Sequence, residues 1–162
     1  MATTTLSTVP GPTGALASLA RAYVRFGEAW AAPVLFLTIR IWMAEIFFRS
    51  GLLKLADLDA ATFLFTDVHP VPLLPPWLAA YLATAIELGC STLLALGLAA
   101  RLAALPMLAM ALVIQFVVGT SDPSFWATEH FYWMFLLALV ACKGAGTLSL
   151  DRLLAARGWP LT

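Results

Sequence analysis

Charge is scarce in this chain. Nine Lys and Arg face nine Asp and Glu in 162 residues, so charged residues make up 11%, where a soluble domain carries about 25%. With 62% of the chain hydrophobic, the apolar excess is too large for the core of a small water-soluble domain, and a bilayer is the simpler solvent. The zero net charge leaves no basic footprint for nucleic acid. Cysteine is equally sparse. Cys90 and Cys142 stand far apart with no CxxC and no Cys/His cluster, which excludes a disulfide framework and a zinc site. Both read as packing residues rather than as the reactive pair a thiol relay needs. Histidine is limited to His69 and His130. A haem between helices wants two facing ligands, and only His130 falls in an apolar run. Asp67, His69, Glu129 and His130 match no metal-binding spacing, so no metal is expected. No positive charge precedes Arg21, so the charged start of a secretory signal peptide is missing.

What the chain has is long apolar runs. Four approach the length of about 20 residues that spans a bilayer: roughly 32–55, 77–98, 102–118 and 125–142. Pro70, Pro72, Pro75 and Pro76 end the first loop and set up the second helix, Pro106 sits near the start of the third, and Gly144 and Gly146 stop the fourth. Ser149 can cap a short final helix, with Asp151 in its first turn and Arg157 and Gly158 at its end. Ahead of the spans, Leu16, Leu19, Tyr23, Phe26 and Trp30 share one helical face, while Ser18, Arg21, Arg25 and Glu28 share the other. That pattern fits a helix lying in the membrane interface, and equally an extension of the first span. No internal repeat is evident.

Arg21 and Arg25, Arg101, and Lys143, Arg152 and Arg157 fall in segments that alternate with loops holding Asp57, Asp59, Asp67, Asp122 and Glu129. The positive-inside rule sorts these sets onto opposite sides only for an even number of spans with both ends in the cytoplasm. The expected organisation is therefore all-α: a disordered N-terminus over 1–14, an amphipathic interfacial helix over 15–31, a transmembrane four-helix bundle over 32–145, and a short cytoplasmic helix within 146–162.

Ionisable groups inside a membrane need a reason, since each costs about 2.5–3.5 kcal/mol at the bilayer centre on insertion scales. Arg40, Glu45, Arg49 and Glu87 fall within the first two spans, two of each sign. Glu45 and Arg49 are four apart and can pair directly. Arg40 and Lys54 lie on the opposite face, so the first span should be the most enclosed. Antiparallel threading sets Glu45 and Glu87 at similar depth, with Glu87 in reach of Arg40 or Arg49. Thr84, Glu87, Cys90 and Ser91 form a stripe expected to face inward. Adding Gln115 and His130 gives a convergent set of Glu45, Arg49, Glu87, Gln115 and His130 opening toward the outer side, with Arg40, Lys54 and Arg101 as structural polar groups. Two readings stand: a network that holds the helices in register, or a ligand or proton site. A quinone pocket needs flat apolar walls and a few donors, which Trp133, His130, Gln115 and Arg49 can supply. Trp77, Tyr81, Trp126, Tyr132 and Trp133 also fit an interfacial aromatic belt.

Three segments carry a resemblance. Arg40–Leu55 reads RIWMAEIFFRSGLLKL, the second span reads PPWLAAYLATAIELGCSTLLALGLAAR, and Gly144–Leu154 reads GAGTLSLDRLL. Over roughly residues 34–155 the chain resembles the DoxX family of bacterial four-helix membrane proteins, with Arg40, Gly51, Lys54, Glu87, Gly89 and Arg101 at the family's signature positions. The resemblance implies a multi-pass protein of the bacterial inner membrane. Some relatives are linked to a thiosulfate:quinone oxidoreductase and others to oxidative-stress assemblies with soluble enzymes. The stretch Glu129–Trp133 and the loop Asp67–Pro70 are similar to members that accompany copper-responsive peptides. Two functions follow as expectations. One is a redox- or stress-linked membrane subunit that binds a quinone or similar small molecule and, if catalytic, forms part of a quinone-linked oxidoreductase. The other is a non-enzymatic scaffold for soluble stress-response partners. Oligomerisation is compatible with both. A transporter is disfavoured, because no pair of broken helices marks a substrate path.

Overall fold

A computed structural model describes residues 12–68, 70, 71, 73–121 and 128–158. His69, Pro72, Asp122, Phe125 and Trp126, together with most of the expected disordered terminus, lie outside the described residues. Those described form helices and turns, with no strand among them. Helix α1 (Pro12–Phe26) runs through a π-helical turn (Gly27–Ala31) into α2 (Ala32–Ala56) without leaving helical backbone angles. The amphipathic stretch is thus continuous with the first apolar run. At about 1.5 Å per residue, the 43 residues from Gly14 to Ala56 exceed the roughly 30 Å of a bilayer core, so part of this rod must lie outside the hydrocarbon or tilt within it.

After α2, Asp57 caps a short α3 (Leu58–Phe63) by accepting from the Ala60 N–H at 2.8 Å, and a second π turn follows (Leu64–Val68). Helix α4 (Pro76–Leu96) begins with its proline at the first helical position, where a missing N–H is harmless. Helix α5 (Ala100–Val113) continues through a π turn (Ile114–Val118) into the short α6 (Gly119–Ser121). Pro106 lies in the interior of α5 rather than at its start. Helix α7 (Thr128–Lys143) and the C-terminal α8 (Leu150–Ala156) complete the described chain. Among the described residues, three segments are long and apolar enough to cross a membrane: Gly14–Ala56, Pro76–Leu96 and Ala100–Val118. This is a membrane protein built from helices.

Helix α2 packs on α4, α4 on α5, α5 on α7, and α7 returns to α2. Their shared core holds Met43 and Phe47 of α2, Leu94 of α4, Ala104 and Met107 of α5, and Leu137 and Val140 of α7. Alanines such as Ala80, Ala100, Ala104 and Ala111 are fully buried, and small residues of this kind let helix backbones approach closely in a bilayer. The expectation that the first span is the most enclosed is not met. Its buried residues Ile39, Arg40, Met43, Ala44, Phe47 and Gly51 form one stripe, and Ile41, Trp42, Phe48 and Leu52 on the other side are exposed.

The register also differs from simple threading. Gly51, not Glu45, lies against Glu87: a Cβ on Gly51 would stand 2.9 Å from the Glu87 Cβ. The offset of six residues (51 − 45) is about 9 Å along the helix. Helix α3 packs on α4 rather than extending away, consistent with α4 beginning beyond the end of α2.

The turn from α4 to α5 is closed by α8. Gly97 ends α4 in a left-handed conformation (φ +66°), and the Leu98 N–H reaches back to the Leu93 carbonyl at 2.9 Å, as in a Schellman cap. A side chain at Gly97 would overlap the Arg40 guanidinium. Ser149 caps α8 as expected, accepting from the Arg152 N–H at 3.3 Å. Asp151 does more than face the helix dipole: its carboxylate accepts from the Ala99 N–H at 2.8 Å and the Ala100 N–H at 3.3 Å, where Ala99 holds a left-handed backbone (φ +48°).

Candidate functional site

The polar centre of the bundle is built from three side chains on two helices. Ser50 and Lys54 are four residues apart on α2 and therefore share a face. Gly51 between them carries no side chain, which lets α4 come close enough to present Glu87 to both. Lys54 Nζ donates to both Glu87 carboxylate oxygens at 2.8 Å and to Ser50 Oγ at 2.7 Å. The Ser50 hydroxyl in turn donates to Glu87 Oε1 at 3.1 Å. The three ammonium donors thus meet three acceptors, and the triad is closed. The Glu87 side chain is 4% exposed and that of Lys54 15%. The rest of the expected α4 stripe satisfies itself. Thr84 donates to the Ala80 carbonyl at 2.8 Å, and Ser91 donates to the Glu87 carbonyl, while Cys90 is half-buried.

A second polar pair stands on α5 and α7. Gln115, fully buried in the π turn, meets His130 Nδ1 through its Oε1 at 2.8 Å. In the neutral tautomer with the proton on Nδ1, the ring donates to the amide oxygen and Nε2 is an acceptor. The Gln115 side-chain nitrogen is buried without a partner. The His130 ring meets Trp133 at 4.9 Å with the two planes tilted by 60°, and Trp133 meets Phe47 edge-on at 5.7 Å.

Both groups border one cavity of about 580 Å³, within the range of roughly 300–1,000 Å³ typical of small-molecule sites. Ser50, Lys54, Glu87, His130 and Trp133 line it, with Leu82, Ile86, Pro106, Met110, Val113 and Ile114 among its apolar walls. Leu64 and Phe65, from the π turn after α3, with Val71 and Leu74 of the following loop, border it at the end where α4 begins. The cavity is therefore an apolar chamber with an ion pair at one side and an imidazole at another.

Of the residues expected to converge, the structure brings Glu87, His130 and Trp133 to this cavity and places Gln115 behind His130. It does not bring Glu45 or Arg49. These two pair with each other at 2.9 Å on the outward face of α2, with side chains 53% and 76% exposed. Four residues apart, they need no partner from another helix, so nothing draws them inward. The cation facing Glu87 is Lys54, not Arg40 or Arg49. Lys54, read as a structural group, borders the cavity, and Ser50 was missed. Its signal was available: Ser50, Gly51 and Lys54 lie together on the face opposite Glu45. Arg40 is buried as expected, at 1% exposure, but it belongs to the far end of the bundle, where its Nη2 donates to the Leu148 carbonyl at 2.6 Å. Arg101 is exposed at the start of α5 rather than in a polar core. Among the described residues no group of three or more His, Cys, Asp or Glu could hold a metal ion.

A family model described as DoxX matches residues 35–120, which is more than half of the chain and includes most of α2, all of α4, the Lys54–Glu87 pair and Gln115. No curated protein and no solved structure matches the chain.

Proposed function

The chain belongs to the DoxX family, and from that premise we propose that it is a four-span protein of the bacterial inner membrane, with both ends cytoplasmic, that binds a quinone or a similar small ring compound in the cavity beside Lys54 and Glu87. The observation that carries this reading is the cavity itself: mainly apolar walls around about 580 Å³, with Ser50, Lys54, Glu87 and His130 as its few polar groups. Such a chamber suits a flat apolar body with oxygen functions at its edge. His130 Nε2 can accept from a hydroxyl, and Lys54 can turn a donor from Glu87 toward a carbonyl. A site offering both an acceptor and a donor accommodates the reduced and oxidised members of a quinone couple, which is the basis for a redox-linked role. With α7 as the fourth span, the positive-inside pattern supports an outer-side position for the α3 end of the cavity.

The test is binding of a short-chain quinone to purified protein stripped of lipid. Saturable binding is expected, and Glu87→Gln and His130→Ala should each weaken it about tenfold or more, the scale of one lost charged or buried hydrogen bond, while the helical signal persists. Should both variants lose stability and keep their affinity, the polar groups are structural and the proposal fails. A scaffold role makes a different prediction. Soluble proteins would co-purify with the full chain and be released by deleting residues 147–162.

A further inference from the structure

A second pocket lies at the opposite end of the bundle from α3, where α5 begins, α7 ends and α8 docks. Its volume is about 240 Å³. Arg101 of α5, Lys143 of α7 and Arg152 of α8 line it together. All three are exposed, and among the described residues none takes part in an ion pair. The acid in its wall, Asp151, is 6% exposed, and both its oxygens are held by backbone N–H groups of Ala99 and Ala100. Its charge is turned into the protein, toward the end of α2 that carries Arg40. The mouth of the pocket is left with three positive charges and the hydroxyl of Thr147. Gly144 and Gly146, both left-handed (φ +82° and +77°), keep one wall low, and Arg101 lies against Gly144.

The surroundings of this charge are apolar. Leu148 and Leu153, beside the lining residues, are 49% and 59% exposed, and Leu102, next to Arg101, is 68% exposed. A cationic pocket flanked by exposed leucines at the ends of membrane helices matches a ligand with an anionic head and acyl chains. We propose that this pocket binds the phosphate of an anionic phospholipid headgroup. Arg101 and Arg152 would each offer a planar fork of donors to phosphate oxygens, Lys143 would add a point charge, and the flanking leucines would meet the chains. Basic pockets between membrane helices on the cytoplasmic side are suited to acidic headgroups in this way. The site is separate from the cavity at Lys54 and Glu87 and does not depend on what that cavity holds.

The experiment is lipid retention by the full chain, delipidated in neutral detergent and mixed with equal amounts of phosphatidylglycerol and phosphatidylcholine, read by native mass spectrometry. Phosphatidylglycerol should be retained about tenfold or more in preference to phosphatidylcholine. The combined variant Arg101→Gln, Lys143→Gln, Arg152→Gln should lose that preference, and Arg21→Gln with Arg25→Gln should keep it. Equal retention of the two lipids by the unaltered chain would overturn the proposal, as would an unchanged preference in the triple variant. In a third arm, inorganic phosphate at the lipid's concentration should leave the preference intact. Displacement of the lipid in that arm would assign the pocket to a soluble anion and reject the lipid. If the triple variant loses helical signal, the single exposed change Arg152→Gln decides: a reduced preference with normal helicity supports the site, and an unchanged one refutes it.

Discussion

Helix α2 takes part in two acid–base pairs that look alike in composition and differ in burial and in the elements they join. Glu45 and Arg49 sit one turn apart and satisfy each other at 2.9 Å on an outward face. Lys54 pairs with Glu87 of α4 at 2.8 Å, inside the bundle and beside a cavity. The first pair is local, so forming it fixes nothing beyond one turn of helix. The second joins residues 33 apart in the chain and forms only when α2 and α4 are in one register. A pair of that kind encodes tertiary structure, and its removal should be felt throughout the bundle.

The sharpest way to break the comparison is to strand one partner. Glu87→Leu leaves the Lys54 ammonium enclosed without its carboxylate, and removing one member of a buried pair costs about 3–5 kcal/mol. Unfolding in detergent should show a loss of that size, and adding Lys54→Met should restore most of it. If the double variant is as unstable as the single one, the pair is not a coupled unit. The next effect tests the close approach that makes the pair possible. Gly51→Ala puts a methyl group 2.9 Å from the Glu87 Cβ and from Leu88, so α2 and α4 must part, at a cost of about 1–3 kcal/mol typical of overpacking. Gly89→Ala meets nothing within 4 Å and should be neutral, or stabilising by up to about 1 kcal/mol from helix propensity. Comparing the two midpoints checks the register directly. A third variant addresses the other polar pair. Gln115→Leu removes the acceptor for His130 Nδ1 and should cost about 1–3 kcal/mol, the penalty for a buried polar group left unpaired. It should also weaken ligand binding if His130 has to be held in one tautomer. The smallest effect is expected at the outward pair. Glu45→Gln should shift stability by no more than about 0.5 kcal/mol in detergent, as for an exposed i,i+4 pair. A loss as large as that of Glu87→Leu would mean that this face is covered by protein.

The two pairs also show how far the sequence could be read. Glu45 and Arg49 were predictable as partners because their spacing alone brings them together. The structure sets both away from the cavity, because spacing says nothing about which face of α2 meets α4. Ser50, Gly51 and Lys54 share a face that spacing alone can identify, but that this face meets Glu87 depends on the register of α2 against α4. The cap at Ser149 was legible from local rules. The reach of Asp151 to Ala99 and Ala100, 52 and 51 residues away, was not.

Composition and apolar run lengths by themselves determined that this chain is helical and lives in a membrane, because both depend only on how many residues of each kind stand in a row. His130 and Glu87 could also be marked as unusual, since ionisable groups are rare in such runs. Which cation faces Glu87, which face of α2 is hidden, and where a cavity opens were decided only by the tertiary structure. These depend on the rotation and depth of one helix against another, and at Gly51 on a contact that only the absence of a side chain permits.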